Sequence, residues 1–390
     1  MSSSRSAEAP AAPNRTLAVA GVVHALHDGY TDLIYVLLPI WQAEFGLSYS
    51  LLALLRGVYA GAMAALQVPS GRLAERIDGR VILAAGTILA AIGYVVAGLS
   101  GGVAGLCLGL AMSGAGSSTQ HPIASAAVSR AFGAAARGPI GTYNFTGDLG
   151  KAALPALTSL LVTLMPWRHA LWLVALLGLL AAAALAFMPR IRVSHAAAAA
   201  RDARSSGDRR GFALLCGIGG LDTAARMGFL TFLPFVLLAK GAALPTIGTA
   251  FAAVFIGGAL GKFACGWLGA KLGVLRTVLL TEGATALLIV ATTALPLTPA
   301  LLLLPFVGLA LNGTSSVLYG TVPELAPSGR VEHGFAVFYT GVTGSGALAP
   351  VLFGAVGDSF GGSWGISCAA ATALLTLPLA VLLAPRLTSR

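Results

Sequence analysis

Long apolar stretches recur along the whole chain, each able to cross a ~30 Å hydrocarbon core as ~20 helical residues. Breaking the sequence at Gly, Pro, Ser and charged punctuation predicts twelve spans, at roughly 16–42, 47–70, 80–100, 103–129, 138–165, 168–188, 211–239, 245–269, 274–296, 299–322, 333–357 and 363–385. Composition excludes an ordinary globular enzyme: 10% of residues are charged and mean hydropathy is +0.85, where soluble proteins carry about a quarter charged residues. Apolar residues run continuously rather than alternating, so a β-barrel is not predicted. The expected fold is an all-α membrane protein of twelve transmembrane helices in two pseudo-symmetric six-helix bundles.

The net charge of +10 does not mark a nucleic-acid partner. In the twelve-span topology Arg168 and Lys240 fall on one side, and Arg56, Lys151, Arg226 and Lys262 lie within spans. The other eighteen Lys and Arg fall on the side holding both termini and the loops at 71–80, 130–137, 189–210, 271–276 and 330. That asymmetry predicts cytoplasmic termini. Residues 1–15 read as a disordered cytoplasmic tail, 16–188 as the N-terminal bundle, 189–210 as a cytoplasmic linker and 211–390 as the C-terminal bundle. The first span is too long for the h-region of a cleaved signal. Arg outnumbers Lys by 20 to 4, which points to a GC-rich bacterial genome and so to a multi-pass protein of the bacterial inner membrane. The four cysteines are singletons without CxxC spacing and read as small hydrophobes.

The halves carry internal similarity. GRLAERIDGRVIL (71–83) has a counterpart in GWLGAKLGVLRTVLL (266–280), and ARGPIGTYNFTGDLGKAALP (136–155) parallels EHGFAVFYTGVTGSGALAP (332–350). Asp28 before Leu38-Pro39 resembles Asp222 before Leu233-Pro234. Two six-helix repeats holding a solute between them is transporter architecture.

These residues resemble the major facilitator superfamily. Gly71, Arg72, Glu75, Arg76, Asp78, Gly79 and Arg80 are similar to its signature loop G-x-x-x-D-R-x-G-R-[RK], with Glu75 in place of the usual Asp. Three segments resemble the fosmidomycin-resistance branch: H-A-L-H-D in span one, G-A-G-S-S-T-Q-H-P-I-A-S (114–125) and P-E-L-A-P-S-G-R (323–330). The resemblance implies proton-driven export of drugs and small organic compounds. The chain departs from that branch in its extra embedded charges, notably Arg56, Asp148, Lys151 and Arg226.

Those charges define the candidate site. On a helical projection His24, His27, Asp28, Thr31, Asp32 and Tyr35 fall within about 140° of arc. A polar stripe on an apolar helix faces a wet cavity or partner side chains, because charge facing lipid is expensive. Asp28 lies ~18 Å from the entry of span one, near the bilayer midplane. The same reckoning places Asp148 and Asp222 near mid-depth and Arg56 level with Asp32. Asp222 and Arg226 are i, i+4 neighbours, as are Asn144 and Asp148, with Lys151 one turn on. Proton coupling is therefore assigned to Asp28, His24, His27, Asp32, Asp148 and Asp222. Solute contact is assigned to Arg56, His121, Tyr143, Asn144, Lys151, Arg226, Lys262, Tyr339 and Thr340.

Each site has a plainer alternative. Asp148/Lys151 and Asp222/Arg226 also read as register-fixing ion pairs, His121-Pro122 as a packing kink, and Lys262 as a lysine snorkelling to the interface. Glu282 reads as a cap or a neutraliser of a basic loop. GDSFG and GGSWG near the C-terminus match the nucleophile-elbow string but lack its strand–turn–helix setting, and no enzyme is expected. The function expected is a proton-coupled secondary transporter moving a small organic solute, anionic or drug-like, by efflux antiport. Import of a carboxylate or phosphonate by proton symport is the alternative, and a metal or metal-chelate cargo, drawn from His24, His27, Asp28 and His121, ranks below it. No cofactor beyond the proton and no resident metal are expected; the partners are the solute, protons and the lipid bilayer, with the chain acting as a monomer.

Overall fold

The computed structural model describes residues 13–191, 208–326 and 331–387, and among these there are helices and short turns but no strand. The helices are α1 (Pro13–Phe45), α2 (Tyr49–Leu73), α3 (Gly79–Leu99), α4 (Val103–Ser117), α5 (Gln120–Phe132), α6 (Arg137–Leu164), α7 (Trp167–Ala184), α8 (Arg209–Ala239), α9 (Leu244–Ala294), α10 (Leu297–Leu325), α11 (Val331–Phe360) and α12 (Gly362–Leu383). The start of the tail (1–12), most of the linker (192–207) and the end of P-E-L-A-P-S-G-R (327–330) lie outside the described residues.

Eight of the helices are long and apolar enough to cross a membrane. The arrangement is compatible with twelve crossings, for identifiable reasons. Helix α9 spans 51 residues and bends at Gly273, whose φ of 77° only glycine adopts readily, so it makes two arms, 244–272 and 274–294. Helices α4 and α5 are one predicted span interrupted at Ser118 and Thr119. There Ser118 Oγ donates to the Ala115 carbonyl (2.7 Å) and Thr119 Oγ1 to that of Gly116 (3.0 Å). Both hydroxyls bond back to carbonyls of α4 at its last turn, and Pro122, in the first turn of α5, needs no helical partner for its missing N–H. Helices α1 and α6 carry the embedded polar residues, which lower their apolarity.

Helices α1–α7 form one bundle and α8–α12 the other. The first bundle packs α1 on α6, α3 on α4 and α3 on α7; the second packs α8 on α12 and α11, and α10 on α9. Between them α2 meets α11, α6 meets α9, and α1 meets α8. In the 71–80 loop, Asp78 caps α3 by accepting from the Arg80 N–H (3.0 Å) and also from the Ile191 N–H (3.0 Å). Gly79 donates to the Ile191 carbonyl (2.8 Å) and Arg80 Nη1 to that of Met188 (3.2 Å). The loop thus fastens the α2–α3 turn to the residues that follow α7.

Candidate functional site

The bundles touch at one end and part at the other. At the closed end the Asp358 carboxylate, near the end of α11, accepts from the backbone N–H groups of Tyr49 (2.6 Å) and Ser50 (3.1 Å) and from Ser50 Oγ (2.6 Å). An acid on the first free N–H groups of a helix is a favourable cap, and here it joins two bundles. Close by, Ser159 of α6 donates to the Leu244 carbonyl and accepts from the Gly248 N–H (3.2 Å). Tyr49 packs on Phe232 and Phe235, and Tyr35 stacks on Phe251 at 5.6 Å between ring centres. Towards the other end, a methyl group at Gly138, Gly141, Gly266, Gly320, Gly341 or Gly344 would meet no neighbouring atom within 4 Å.

Between these ends lies a cavity of about 240 Å³. Asp28, Asp32, Arg56, His121, Asp148 and Lys151 line it from the first bundle. The second contributes Thr223, Arg226, Met227, Asn312, Tyr319 and Tyr339. The stripe on α1 therefore supplies one wall through Asp28, Thr31 and Asp32.

Asp28 is the centre of that wall. Its Oδ2 lies 3.2 Å from Lys151 Nζ and 3.4 Å from His24 Nε2, and its Oδ1 lies 3.7 Å from His121 Nε2. His24 Nδ1 donates to the Tyr143 carbonyl (2.8 Å), and the ring stacks on Tyr143 at 4.1 Å. Its Nε2, which has no hydrogen-bond partner, is thereby aimed at Asp28. Arg56 Nη2 lies 4.0 Å from Asp32 Oδ1, and the guanidinium sits over the Tyr35 ring.

Several assigned partners differ from their sequence neighbours. Lys151 does not pair with Asp148 on its own helix; it turns to Asp28, and Asp148 binds Lys262 of α9 at 2.6 and 2.8 Å. That pair crosses between the bundles, so Lys262 is not a snorkelling residue. Arg226 Nη2 donates to Thr223 Oγ1 (3.3 Å), while Asp222 lies against Glu282 behind the cavity wall. His27 is not a cavity residue: it is 2% exposed, with Nδ1 2.9 Å from Ser117 Oγ and Nε2 3.0 Å from Thr87 Oγ1. Tyr143 is buried behind His24 and bonds Gln120 through its hydroxyl (3.3 Å). Asn144 and Thr340 are exposed and do not line the cavity, whereas Thr343, one turn on from Thr340, does.

Sequence reasoning missed Met227, Asn312, Tyr319 and Glu282. Asn312 and Tyr319 are polar interruptions of α10 at helical spacing and carried a readable signal. Met227 carried none, being apolar. Glu282 reads in the sequence as a cap or a neutraliser of a basic loop; it is instead 1% exposed.

His24, Asp28 and His121 offer one ligand atom each within 4.8 Å of one another, a donor set suited to a transition metal. Lys151 argues against a resident ion, since its ammonium already stands beside the shared carboxylate.

Comparison with known proteins agrees with this architecture. The chain superposes on a bacterial homologue of the human lysosomal transporter Spinster in an inward-facing, occupied conformation, with a TM-score of 0.82, 16% identity and 98% of each chain covered. The inward-facing, unoccupied conformation gives 0.75, with 17% identity and coverage of 96% of this chain and 95% of that one. At such identities the likeness is one of fold. No curated protein matches the sequence. The family profile described as Major Facilitator Superfamily matches residues 20–215, half of the chain. The chain belongs to the major facilitator superfamily, with the fold of a secondary transporter.

Proposed function

We propose that the protein is a proton-coupled carrier of a small organic solute bearing an anionic group, working by alternating access in the bacterial inner membrane with its termini in the cytoplasm. One observation carries the reading. Arg56 and Arg226, from opposite bundles, line a common cavity, and each keeps a buried Nε–H without a partner. An unsatisfied buried donor on a charged group is costly, and an anion held between the two guanidiniums satisfies both while drawing the bundles together. The end carrying the N-terminus of α1 is open, so the conformation corresponds to an inward-facing state in this topology.

Proton coupling is assigned to Asp28, helped by His24 and His121, and to Asp32. A proton on Asp32 releases Arg56 for the solute, so proton and anion bind together there, which favours symport. The efflux antiport implied by the resemblance to the fosmidomycin-resistance branch is the second reading. It is favoured by Asp28 itself lining the cavity, where a drug-like solute and a proton compete for one carboxylate.

A thermal-shift screen of the purified full chain against organic anions, sugars, drugs and transition metals at two pH values tests the reading. A ligand at a hundredfold its Kd adds about 2.7 kcal/mol. Under symport an organic anion stabilises more strongly at the lower pH, and under antiport more weakly. Stabilisation by neutral sugars alone, unaffected by Arg56→Gln, overturns the anion site, and stabilisation by metals alone reinstates a metal cargo. In proteoliposomes Asp28→Asn retains counterflow and loses the response to a pH gradient; a retained response removes Asp28 from the coupling.

A further inference from the structure

Glu282, in the second arm of α9, plays no part in the cavity, yet it is almost wholly buried and neither carboxyl oxygen meets a hydrogen-bond donor. The Thr314 hydroxyl stands beside it but donates to Thr281 Oγ1 (2.7 Å). Thr285 Oγ1, one turn along, is also buried without a partner. The group set against Glu282 is the carboxyl of Asp222 on α8, itself 3% exposed.

Two ionised carboxylates in contact and away from water repel strongly. One proton between them replaces the repulsion with a hydrogen bond and leaves a single negative charge. The cation for that charge is present: Arg226 lies one turn along α8 and its charge is felt by both acids. The other titratable groups facing this region are Tyr319 of α10 and Tyr339 of α11, with Asp32 of α1 beyond Arg226. Helix α12, which packs on α8, brings no charged residue.

We propose that Asp222 and Glu282 form a second proton-binding site, one exchangeable proton shared between two carboxyls, in the C-terminal bundle and outside the solute cavity. Arg226 links it to the cavity, because the guanidinium belongs to both. An anion that draws Arg226 towards itself leaves the pair's charge without its partner and makes the pair hold its proton more firmly. That link rests on the proposed anion site, whereas the shared proton does not.

Infrared spectroscopy of the purified full chain tests the proton without a solute. The wild type shows the absorption of a protonated carboxyl in neutral buffer, lost reversibly in alkaline buffer. Glu282→Gln removes the band, while Asp28→Asn and Asp32→Asn keep it. Absence of the band from the wild type, its survival in Glu282→Gln, or its loss in either cavity variant overturns the proposal. A band that ignores alkaline buffer does so too, since the proton is then a fixed part of the fold. If Glu282→Gln does not accumulate as folded protein, Glu282→Asp shifts the band, and an unshifted band refutes the assignment. A normal band in a protein that shows no pH-driven transport refutes the proton-coupled carrier and leaves the shared proton standing.

Discussion

At the scale of single residues, chemistry and partner identity were unequally legible. The stripe on α1 stood out because charge on a membrane helix is rare and its period is fixed by the helix. Partners were hidden because short-range spacing invites i, i+4 pairing, while Asp148 bonds Lys262 over 114 residues of sequence. His27 fell on the edge of the polar arc and was drawn into the site; two hydroxyls instead fix it inside the first bundle. His27→Ala is expected to lower stability by about 1–3 kcal/mol and to leave the ligand-induced shift in melting temperature unchanged. Arg226→Gln should weaken solute binding instead. Losing hydrogen bonds from a charged donor costs about 1.5–3 kcal/mol, so calorimetric titration with a stabilising anion should show Kd rising roughly 10-fold or more.

At the scale of helices, the predicted spans coincide within a few residues with the observed helices, because apolar length is set by bilayer thickness. The break between α4 and α5 was not anticipated there, since it depends on which carbonyl each hydroxyl chooses. Helix starts are anchored by specific acids. Asp208 caps α8 by accepting from the Arg210 (3.0 Å) and Gly211 (3.1 Å) N–H groups and receives Arg386 Nη1 at 2.7 Å. Arg386 and those N–H groups hold its carboxyl below the usual carboxylate range. A lowered folded value means that this contribution is complete above the ordinary carboxylate range and is lost as pH falls through the lowered one. The melting temperature of the wild type should therefore fall more steeply on acidification than that of Asp208→Asn, while the two respond alike above neutrality.

At the scale of the whole molecule, the fold class was legible and the conformation was not, since one sequence encodes both faces of an alternating cycle. Closure at one end rests on close approaches between the bundles. A methyl group at Gly354 of α11 meets the backbone of Ser50 at 2.5–2.6 Å, and one at Gly248 of α9 meets Ser159 and the Ala156 backbone. Gly354→Ala is expected to move the population towards the opposite opening, read as longer distances between spin labels flanking Ser50 and Asp358 and shorter ones across the far end. Lys262→Met, which leaves Asp148 without its ammonium, should shift the same distances without adding bulk. Beside the hydrogen bonds of Asp358 and Ser159, the seam between the bundles thus depends on the absence of a side chain at two glycines. A lineage needs neither a new binding group nor a new coupling acid to change which face its carrier rests on; one added carbon is enough. Resting orientation, and with it the side from which an inhibitor gains entry, is free to drift while the chemistry inside the cavity stays fixed.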